Sequence, residues 1–417
     1  MDQEVRMHLR KLGRLSFTAC VGAIAVLTAA CGSSSTSSGP SVTVPSSLSV
    51  DSFDVNFTAM ATLKDLHGAG SGLVGVILPD TTSSVRYVNF DKPYLEKAFT
   101  AAGYSSSEFK IDNAQGNDAT ELAQAQADIS QGAKVLIMDP LDSTVGTQIQ
   151  QAAAAKGVKI ISYDRATFTG DKTYYVSFNN VNVGKLIGQG FLDCVKAWNV
   201  PNPQVFTLNG GEDTDPNAID FAKGYNSVVW GDSVPQETVG KSANGLTLVG
   251  DEVAPGWDNT KGQNIFQQKF TANNKINATI EANDGLGNAV ITVLKQKGVG
   301  PGKVPTTGQD ATLQGIENVL QGYQCGTVYK AVYLEAQAAV ALATILRAGA
   351  EPPSALVNGT TAPASGKPGN TQPAVLLTPL WVDKSKVAST VIKDNFVDKT
   401  ALCNAVGASV CSANGIT

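Results

Sequence analysis

Short apolar runs and longer amphipathic segments alternate along the chain from residue 73. The run over residues 73–78 is apolar throughout, ends at Pro79-Asp80, and is typical of a strand that is buried on both faces of a sheet. The pattern predicts further strands over 109–111, 135–138 and 158–163, and helices over 91–102, 118–130 and 144–156. Because strands and helices alternate with short connections, we expect a parallel, doubly wound sheet.

The same alternation begins again in the second half of the chain. The pattern predicts strands over 204–208, 278–282 and 304–308, and helices over 183–198, 217–230, 260–273, 285–298 and 311–321. The two series follow each other without a long linker. The expected fold class is therefore α/β, with two doubly wound parallel-sheet lobes that face each other across a cleft.

Polar residues follow the predicted strands, which is where ligands bind in open α/β sheets. They are Asp80, Asp139, the pair Asp164-Arg165, the pair Asn283-Asp284 and the pair Gln309-Asp310. Aspartate and asparagine in these places are also typical of turns and helix N-caps. Arginine is not a capping residue, so the pair Asp164-Arg165 favours a ligand site over a purely local role.

Composition excludes several classes of protein. Hydrophobic residues make up 42% and charged residues 16% of the 417 residues, so a large core can form. The formal net charge of −5 argues against a nucleic-acid partner, which calls for a concentrated basic face. His8 and His67 are the only histidines, so a Ser-His-Asp hydrolase or a multi-histidine metal site has almost nothing to be built from. We expect a protein that is not an enzyme and that uses no metal and no cofactor.

Residues 1–30 have the features of an export signal. Basic side chains lie within residues 6–14, an apolar run follows over 15–30, and small residues precede Cys31. The apolar run is shorter than the about 20 residues that a membrane span needs. Cys31 and the residues after it resemble the lipoprotein pattern, in which the cysteine is lipid-modified and becomes N-terminal, although Thr28 stands where the pattern prefers leucine. The alternative is ordinary cleavage that leaves Cys31 free.

The residues after Cys31 are rich in serine, threonine, glycine and proline. Such a composition buries little apolar surface, so we expect residues 31–71 to be a flexible tether and lead-in. A tether behind a lipid anchor would hold a soluble domain at the outer face of the cell membrane or in the periplasm.

The cysteines downstream of the predicted anchor fit two disulfide bonds. They are Cys194, Cys325, Cys403 and Cys411, an even number in an exported chain. Four cysteines allow three pairings. Cys403 and Cys411 are close in sequence, so we favour that pair and, with it, Cys194–Cys325. None of the four has the spacing of metal ligands.

Several motifs together resemble the pentose-binding branch of the periplasmic sugar-binding proteins of ABC transporters. The motifs are residues 161–165, 175–184, 282–284, 307–311, 327–330, 377–380 and 391–396. They follow one another in the family's order over most of the chain. The resemblance implies a type I periplasmic binding fold, whose two lobes are joined by a three-segment hinge with the ligand in the cleft.

The resemblance also implies where the lobes divide. The crossovers would lie near 177–181, 328–332 and 365–372. The N-terminal lobe would then consist of 72–178 plus 331–365, and the C-terminal lobe of 179–330 plus 366–417.

The sugar-binding side chains follow from the same resemblance. Arg86, Tyr87, Asp164 and Arg165 would bind from the first lobe. Asn217, Asn283 and Asp310 would bind from the second lobe, and Lys330 would bind from the hinge. Planar carboxylate, amide and guanidinium groups suit vicinal hydroxyls, because each hydroxyl both donates and accepts. The apolar faces of a sugar ring would sit on Trp257 and Tyr87. The alternatives are core packing for Trp257 and a surface loop for Tyr87.

The implied ligand is a monosaccharide, with D-xylose as the first candidate, which a monomer delivers to a membrane permease. Ribose, glucose and galactose are alternatives, as is a sugar sensor coupled to chemotaxis or signalling. Glu212, Asp213 and Asp215 form a carboxylate cluster of the kind that glycoside hydrolysis needs. A solvated loop is the simpler interpretation of that cluster.

Overall fold

The strands and helices alternate as the sequence predicts. The computed structural model describes residues 42–170, 173–212, 214–363 and 368–417. In chain order the strands are β1 (Leu73–Leu78), β2 (Phe109–Asn113), β3 (Ala133–Met138), β4 (Lys159–Tyr163), β5 (Thr173–Phe178), β6 (Gln204–Gly210), β7 (Ser242–Ala243), β8 (Leu246–Ala254), β9 (Ala278–Glu281), β10 (Gly326–Tyr329), β11 (Gly359–Thr361), β12 (Gln372–Leu377) and β13 (Leu380–Asp383). The helices are α1 (Lys64–Ala69), α2 (Lys92–Ala102), α3 (Asp118–Ser130), α4 (Ser143–Ala154), α5 (Asn180–Ala197), α6 (Pro216–Val229), α7 (Asn259–Ala272), α8 (Asp284–Gln296), α9 (Leu313–Gln321), α10 (Val332–Arg347), α11 (Lys399–Val406) and α12 (Ala408–Ala413).

The first lobe is built on a mostly parallel sheet with the strand order β11-β12-β5-β4-β3-β1-β2, in which β11 pairs antiparallel with β12. Helices α2 and α10 pack on one face, and α3 and α4 on the other. Successive residues of a strand point to opposite faces, so Val76 joins the first of these cores and Ile77 the second. Helices cover both faces, which is why these strands are continuous apolar runs.

The second lobe is built on a smaller sheet with the order β7-β8-β6-β9, in which β6 pairs in parallel with both β8 and β9. Helices α5 and α6 pack closely against each other. A Cβ atom on Gly184 would lie 2.0 Å from the carbonyl oxygen of Phe221, so glycine is required for this approach.

The prediction of a strand over residues 304–308 is wrong. The segment lies beside β9, where Thr279 N–H donates to the Pro305 carbonyl at 2.8 Å. Pro305 has no N–H to return, and Thr307 gives its N–H to the Glu281 carboxylate at 2.8 Å instead of to a backbone carbonyl. Hydrogen bonds to side chains therefore take the place of the backbone hydrogen bonds that a strand would make with β9.

Within the described residues, the chain passes between the lobes from β5 to α5, from β10 to α10 and from β12 to β13. The third passage corrects the predicted crossover at 365–372 and the lobe boundary at residue 366, because β12 pairs in parallel with β5 and so belongs to the first sheet. Strand β13 pairs antiparallel with β10 just beyond this passage. Residues 365–367 of the predicted crossover lie outside the described residues.

The lead-in to the first sheet packs against the first lobe from residue 42 onward, which corrects the predicted flexibility for residues 42–71. Its apolar side chains are buried in the core of the first lobe, among them Leu48, Phe57 and Leu63. The Gln337 amide of α10 also donates to the backbone carbonyl of Asp54 at 2.8 Å. Apolar residues are sparse in this segment but regularly placed, so the first lobe can bury them.

Both predicted disulfides are present, Cys194–Cys325 and Cys403–Cys411. The predicted export signal over residues 1–30, the lipidated Cys31 and the start of the tether lie outside the described residues. Among the helices that the structure describes, none combines the length and the apolar character needed to cross a bilayer.

Candidate ligand-binding cleft

A single cavity between the two sheets is lined by every residue predicted to bind the ligand. They are Arg86, Tyr87, Asp164, Arg165, Asn217, Trp257, Asn283, Asp310 and Lys330, and Ser83, Ser84, Phe221 and Gln309 complete the lining. The cavity has an empty volume of about 320 Å³, part of it open to solvent.

Asp164 is the central carboxylate of the first lobe. It follows β4 with a φ of 57°, in the left-handed region that aspartate tolerates better than most residues. Its Oδ1 accepts from Arg86 Nη1 at 2.8 Å and from Lys330 Nζ at 3.1 Å, and its Oδ2 accepts from the Tyr87 hydroxyl at 3.3 Å. One carboxylate thus joins three other predicted ligand residues.

Two cations keep Asp164 ionised although it is buried. Burial alone would raise the pKa of Asp164, but the Arg86 guanidinium and the Lys330 ammonium outweigh it and hold the pKa below its ordinary value. An ionised carboxylate accepts hydrogen bonds only, so Asp164 suits a ligand that offers hydroxyl donors.

Arg86 is held by buried acids. Its Nε and Nη2 donate to the two oxygens of Asp91 at 2.9 and 2.7 Å, and Nη2 also donates to Glu335 Oε2 at 2.7 Å. Together with the bond to Asp164, these contacts use four of the five guanidinium N–H groups, and one Nη1–H remains for a ligand. Arg86 therefore positions Asp164 first and offers a single donor to the cavity.

The second lobe presents buried acceptors to the cavity. Asp310 Oδ2 accepts from the Ser84 hydroxyl at 3.0 Å, whereas its Oδ1 has no hydrogen-bond partner among the described residues and lies 4.0 Å from Lys330 Nζ. The side-chain oxygen of Gln309 is likewise buried and unpartnered there. Burial raises the pKa of Asp310, although Lys330 and Arg86 oppose the shift. A buried acceptor without a donor is costly, so these atoms indicate where a ligand would donate.

The N-cap interpretation applies to Asn283 but not to Asp310. Thr312 caps α9, since its hydroxyl oxygen accepts from Gly315 N–H at 3.1 Å. Asn283 caps α8 through its Oδ1, which accepts from Leu286 N–H at 2.9 Å. The amide nitrogen of Asn283 therefore remains for the cavity.

Trp257 is packed and faces the cavity at the same time. Its ring lies over the backbone of β6, where a Cβ atom on Gly210 would be 2.0 Å from the indole. The ring meets Phe221 edge-on at a centroid distance of 6.2 Å. Its Nε1–H donates to Asp215 Oδ2 at 2.7 Å. These contacts fix the indole as a rigid wall of the cavity.

Tyr87 is buried and not part of a surface loop, with 2% of its surface exposed. It begins a turn of π-helix, Tyr87–Asp91, that leads into α2. Its ring lies 5.6 Å from the Arg86 guanidinium and 5.7 Å from that of Arg165. Both guanidinium groups of the first lobe thus lie within cation–π distance of one aromatic ring.

Arg165 has the least committed guanidinium in the cavity. Its Nη1 donates weakly to the Pro140 carbonyl at 3.4 Å. The carboxylates beside it are Asp139 Oδ1 and Asp215 Oδ2, each 3.9 Å from a guanidinium nitrogen. Several of its N–H groups are therefore available to a ligand.

The two lobes already touch across the cavity. The Asn217 amide of the second lobe donates to the backbone carbonyl of Asp164 at 3.1 Å, and the Tyr175 hydroxyl donates to the same carbonyl at 2.7 Å. Asn180 at the start of α5 donates to Asn217 Oδ1 at 2.7 Å. With the bond from Ser84 to Asp310, these contacts describe a closed cleft.

The two described carboxyls of the acidic stretch before α6, Glu212 and Asp215, have different surroundings. Glu212 is exposed, Asp213 lies outside the described residues, and Asp215 is the N-cap of α6, accepting from Asn217 N–H at 2.9 Å. Asp215 is partly buried beside Trp257 rather than in a solvated loop. In the part of the chain that the structure describes, no group of His, Cys, Asp and Glu side chains is arranged to hold a metal ion.

Sequence reasoning missed the acids that hold Arg86. Asp91 lies five residues after Arg86, and Glu335 lies in the first turn of α10, a mostly apolar helix. An acidic residue at a buried helix position is itself a signal of a buried cation. Ser84 and Phe221 were missed as well, and no local pattern marks them as lining residues.

Comparisons with known proteins place the chain among solute binders. A model of the periplasmic binding protein domain family matches residues 74–351. The D-xylose-binding periplasmic protein of Escherichia coli K12 is 34% identical over 295 residues, which cover 70% of this chain and 82% of that protein. The multiple sugar-binding periplasmic protein SbpA of Azospirillum brasilense is 31% identical over 332 residues, covering 78% of this chain and 89% of that protein.

A solved structure has the same architecture. It is a carbohydrate transporter solute-binding protein from Chloroflexus aurantiacus in complex with D-glucose, and it superposes with a TM-score of 0.67. The sequence identity is 26%, and the match covers 79% of this chain and 98% of that one.

Proposed function

The chain belongs to the periplasmic binding protein domain family, with its type I fold of two doubly wound lobes, and on that premise we propose that it binds a monosaccharide, D-xylose first, and delivers it to an ABC permease. Its relatives named for D-xylose and for several sugars support a sugar as the ligand class. Membership of a family of solute binders also agrees with the expectation that the chain is not an enzyme.

The observation that carries this proposal is the unpartnered Oδ1 of Asp310 in a cavity that also offers free N–H groups. A sugar hydroxyl can donate to such an acceptor and accept from Arg165 or Lys330 at the same time. The indole of Trp257 supplies a flat apolar surface for the C–H face of the ring. Donors, acceptors and an aromatic wall within one closed cavity suit a polyhydroxylated ring.

The charge balance of the cavity favours an uncharged ligand. Arg86 is neutralised by Asp91 and Glu335, and Lys330 is bonded to Asp164. Asp310 adds a further carboxylate to the cavity lining, and two carboxylates lie 3.9 Å from Arg165. Because Arg86 and Lys330 are paired and acidic groups surround Arg165, an anionic ligand such as a sugar acid gains little, while a neutral sugar meets charged groups that strengthen each hydrogen bond.

Binding would stabilise the closed arrangement of the lobes. The sugar would contact Asp164 and Arg165 on one lobe and Asn217, Asn283 and Asp310 on the other, so its affinity for the closed form would exceed that for an open form. A permease would then recognise the closed form. We also propose that Cys31 anchors the monomer to the membrane through lipid, which would hold it near the permease.

The test is calorimetric titration of the full chain with D-xylose, D-ribose, D-glucose and D-galactose. We expect the tightest binding for D-xylose and weaker binding for the others. A tighter response to another of these sugars would change the assigned ligand but keep the function. Absence of binding to every sugar tested, by a folded protein, would refute it.

A further inference from the structure

Asp215 connects three of the residues that line the sugar cavity. Its Oδ1 accepts from the backbone N–H of Asn217 at 2.9 Å and so caps the first turn of α6. Its Oδ2 accepts from the indole Nε1–H of Trp257 at 2.7 Å. The same Oδ2 lies 3.9 Å from Nε of Arg165, which belongs to the other lobe.

Arg165 has a second carboxylate beside it, but that one is a poor partner. Asp139, on its own lobe, is also 3.9 Å away, and neither of its oxygens has a hydrogen-bond partner among the described residues. Burial raises the pKa of Asp139 well above its ordinary value, so the neutral form is favoured there. Asp215 lies at the same distance from Arg165 but on the other lobe, so its contact with Arg165 acts across the cleft.

We propose that Asp215 is a positioning residue for the closed state: it orients Trp257 and the first turn of α6 within the second lobe and draws Arg165 of the first lobe toward them. This inference rests on the proposed function, because it assigns a role within the same site. Loss of the carboxylate should shorten the lifetime of the closed complex, since each lobe then loses a contact that holds the two halves together.

The test is the dissociation rate of D-xylose from full-chain Asp215→Asn, measured by stopped-flow fluorescence. Asparagine caps helices about as well as aspartate, so the melting temperature should stay within a few degrees of the wild-type value. When the asparagine oxygen caps α6, its NH2 group faces the indole N–H of Trp257, so two donors meet and that hydrogen bond is lost. The neutral amide also offers no charge to Arg165. We expect dissociation to become about tenfold faster, the change that corresponds to about 1.4 kcal/mol.

Asp258→Asn is the matched control. Asp258 caps α7 in the same lobe, accepting from Thr260 and Lys261 N–H groups at 2.9 and 3.0 Å, and its carboxylate makes no hydrogen bond to the Trp257 indole and no ion pair with Arg165. Its rate should equal that of the wild type. Asp215→Ser, which also caps a helix without charge, should reproduce the faster rate.

A double-mutant cycle separates positioning from capping. If Asp215 acts through Arg165, the effect of Asp215→Asn should shrink at least threefold in an Arg165→Gln background, which lacks the positive charge. Fully additive effects would refute the link to Arg165, and a lowered melting temperature with an unchanged dissociation rate would mean that Asp215 is only a helix cap. A wild-type protein that binds no sugar would instead refute the proposed function itself.

Discussion

Replacing Asp310 by asparagine tests the proposed site most directly. Asparagine keeps the size of the side chain and tolerates the positive φ of 99° at this position, which alanine would not. The remaining amide oxygen can still accept from Ser84, and the nitrogen then takes the place of Oδ1 beside Lys330. The variant thus removes one charged acceptor and leaves the backbone and the contact between the lobes in place.

The expected loss follows from the hydrogen bond at Oδ1. Hydrogen bonds to charged groups contribute about 1.5–3 kcal/mol, and a tenfold change in affinity corresponds to about 1.4 kcal/mol. D-xylose affinity should therefore fall by about 10- to 100-fold. Stability should hold, because Thr312 and not Asp310 caps α9 and because a buried charge has been removed.

Calorimetric titration gives the affinity, and thermal unfolding in the absence of sugar gives the stability. Asp251→Asn is the control, since Asp251 is a buried aspartate of the same lobe that lies outside the cavity lining. Its D-xylose affinity should equal that of the wild type. Wild-type affinity in Asp310→Asn would remove Asp310 from the site, whether or not its melting temperature changes.

Three further predictions concern pH, the long disulfide and the anchor. Burial raises the pKa of Glu281 from 4.5 to about 8, so between these pH values the carboxyl is ionised in the unfolded chain but neutral in the folded protein, and the folding stability falls as the pH rises. Glu281→Gln lacks this loss, so its melting temperature should exceed that of the wild type by more at pH 8 than at pH 5. An equal difference at the two pH values would contradict this. Replacing both Cys194 and Cys325 by serine removes a disulfide that spans 131 residues, and it should lower the free energy of unfolding by about 2–5 kcal/mol in chemical denaturation while leaving the D-xylose affinity unchanged. A smaller loss would argue against a stabilising role. Cys31→Ser should move the protein from the membrane to the soluble fraction after cell fractionation, and a variant that stays with the membrane would refute the lipid anchor.

Local signals account for most of the helices and strands. Helix α3 begins and ends where the sequence predicts it, because Asn117 caps its first turn by accepting from Thr120 N–H at 2.9 Å. Strands β1 and β3 are apolar runs that could only be buried on both faces. Each of these signals depends on neighbours within a few residues, so the sequence alone determines it.

The family resemblance allowed the nine cavity residues to be predicted together, because motifs in a shared order indicate which distant segments meet in the fold. Local periodicity contains no such information. Even so, the resemblance did not identify the groups behind them. Glu335, which pairs with Arg86, is 249 residues away in the chain, and only packing brings the two charges within 2.7 Å. Because Glu335 and Asp91 occupy most of its N–H groups, Arg86 mainly orients Asp164 and does not offer a free guanidinium group to the ligand.

The errors of the sequence prediction lie where distant contacts override local composition. Residues 42–71 look like the end of a tether, yet the first lobe buries their few apolar side chains. Strand β12 follows a proline- and glycine-rich stretch, yet it pairs with β5 within the first sheet. The sequence by itself determined which segments could become helices and strands and which side chains had the chemistry to bind a sugar. Only the tertiary structure decided which of them meet, because burial and hydrogen-bond partners depend on distances in space and not on spacing along the chain.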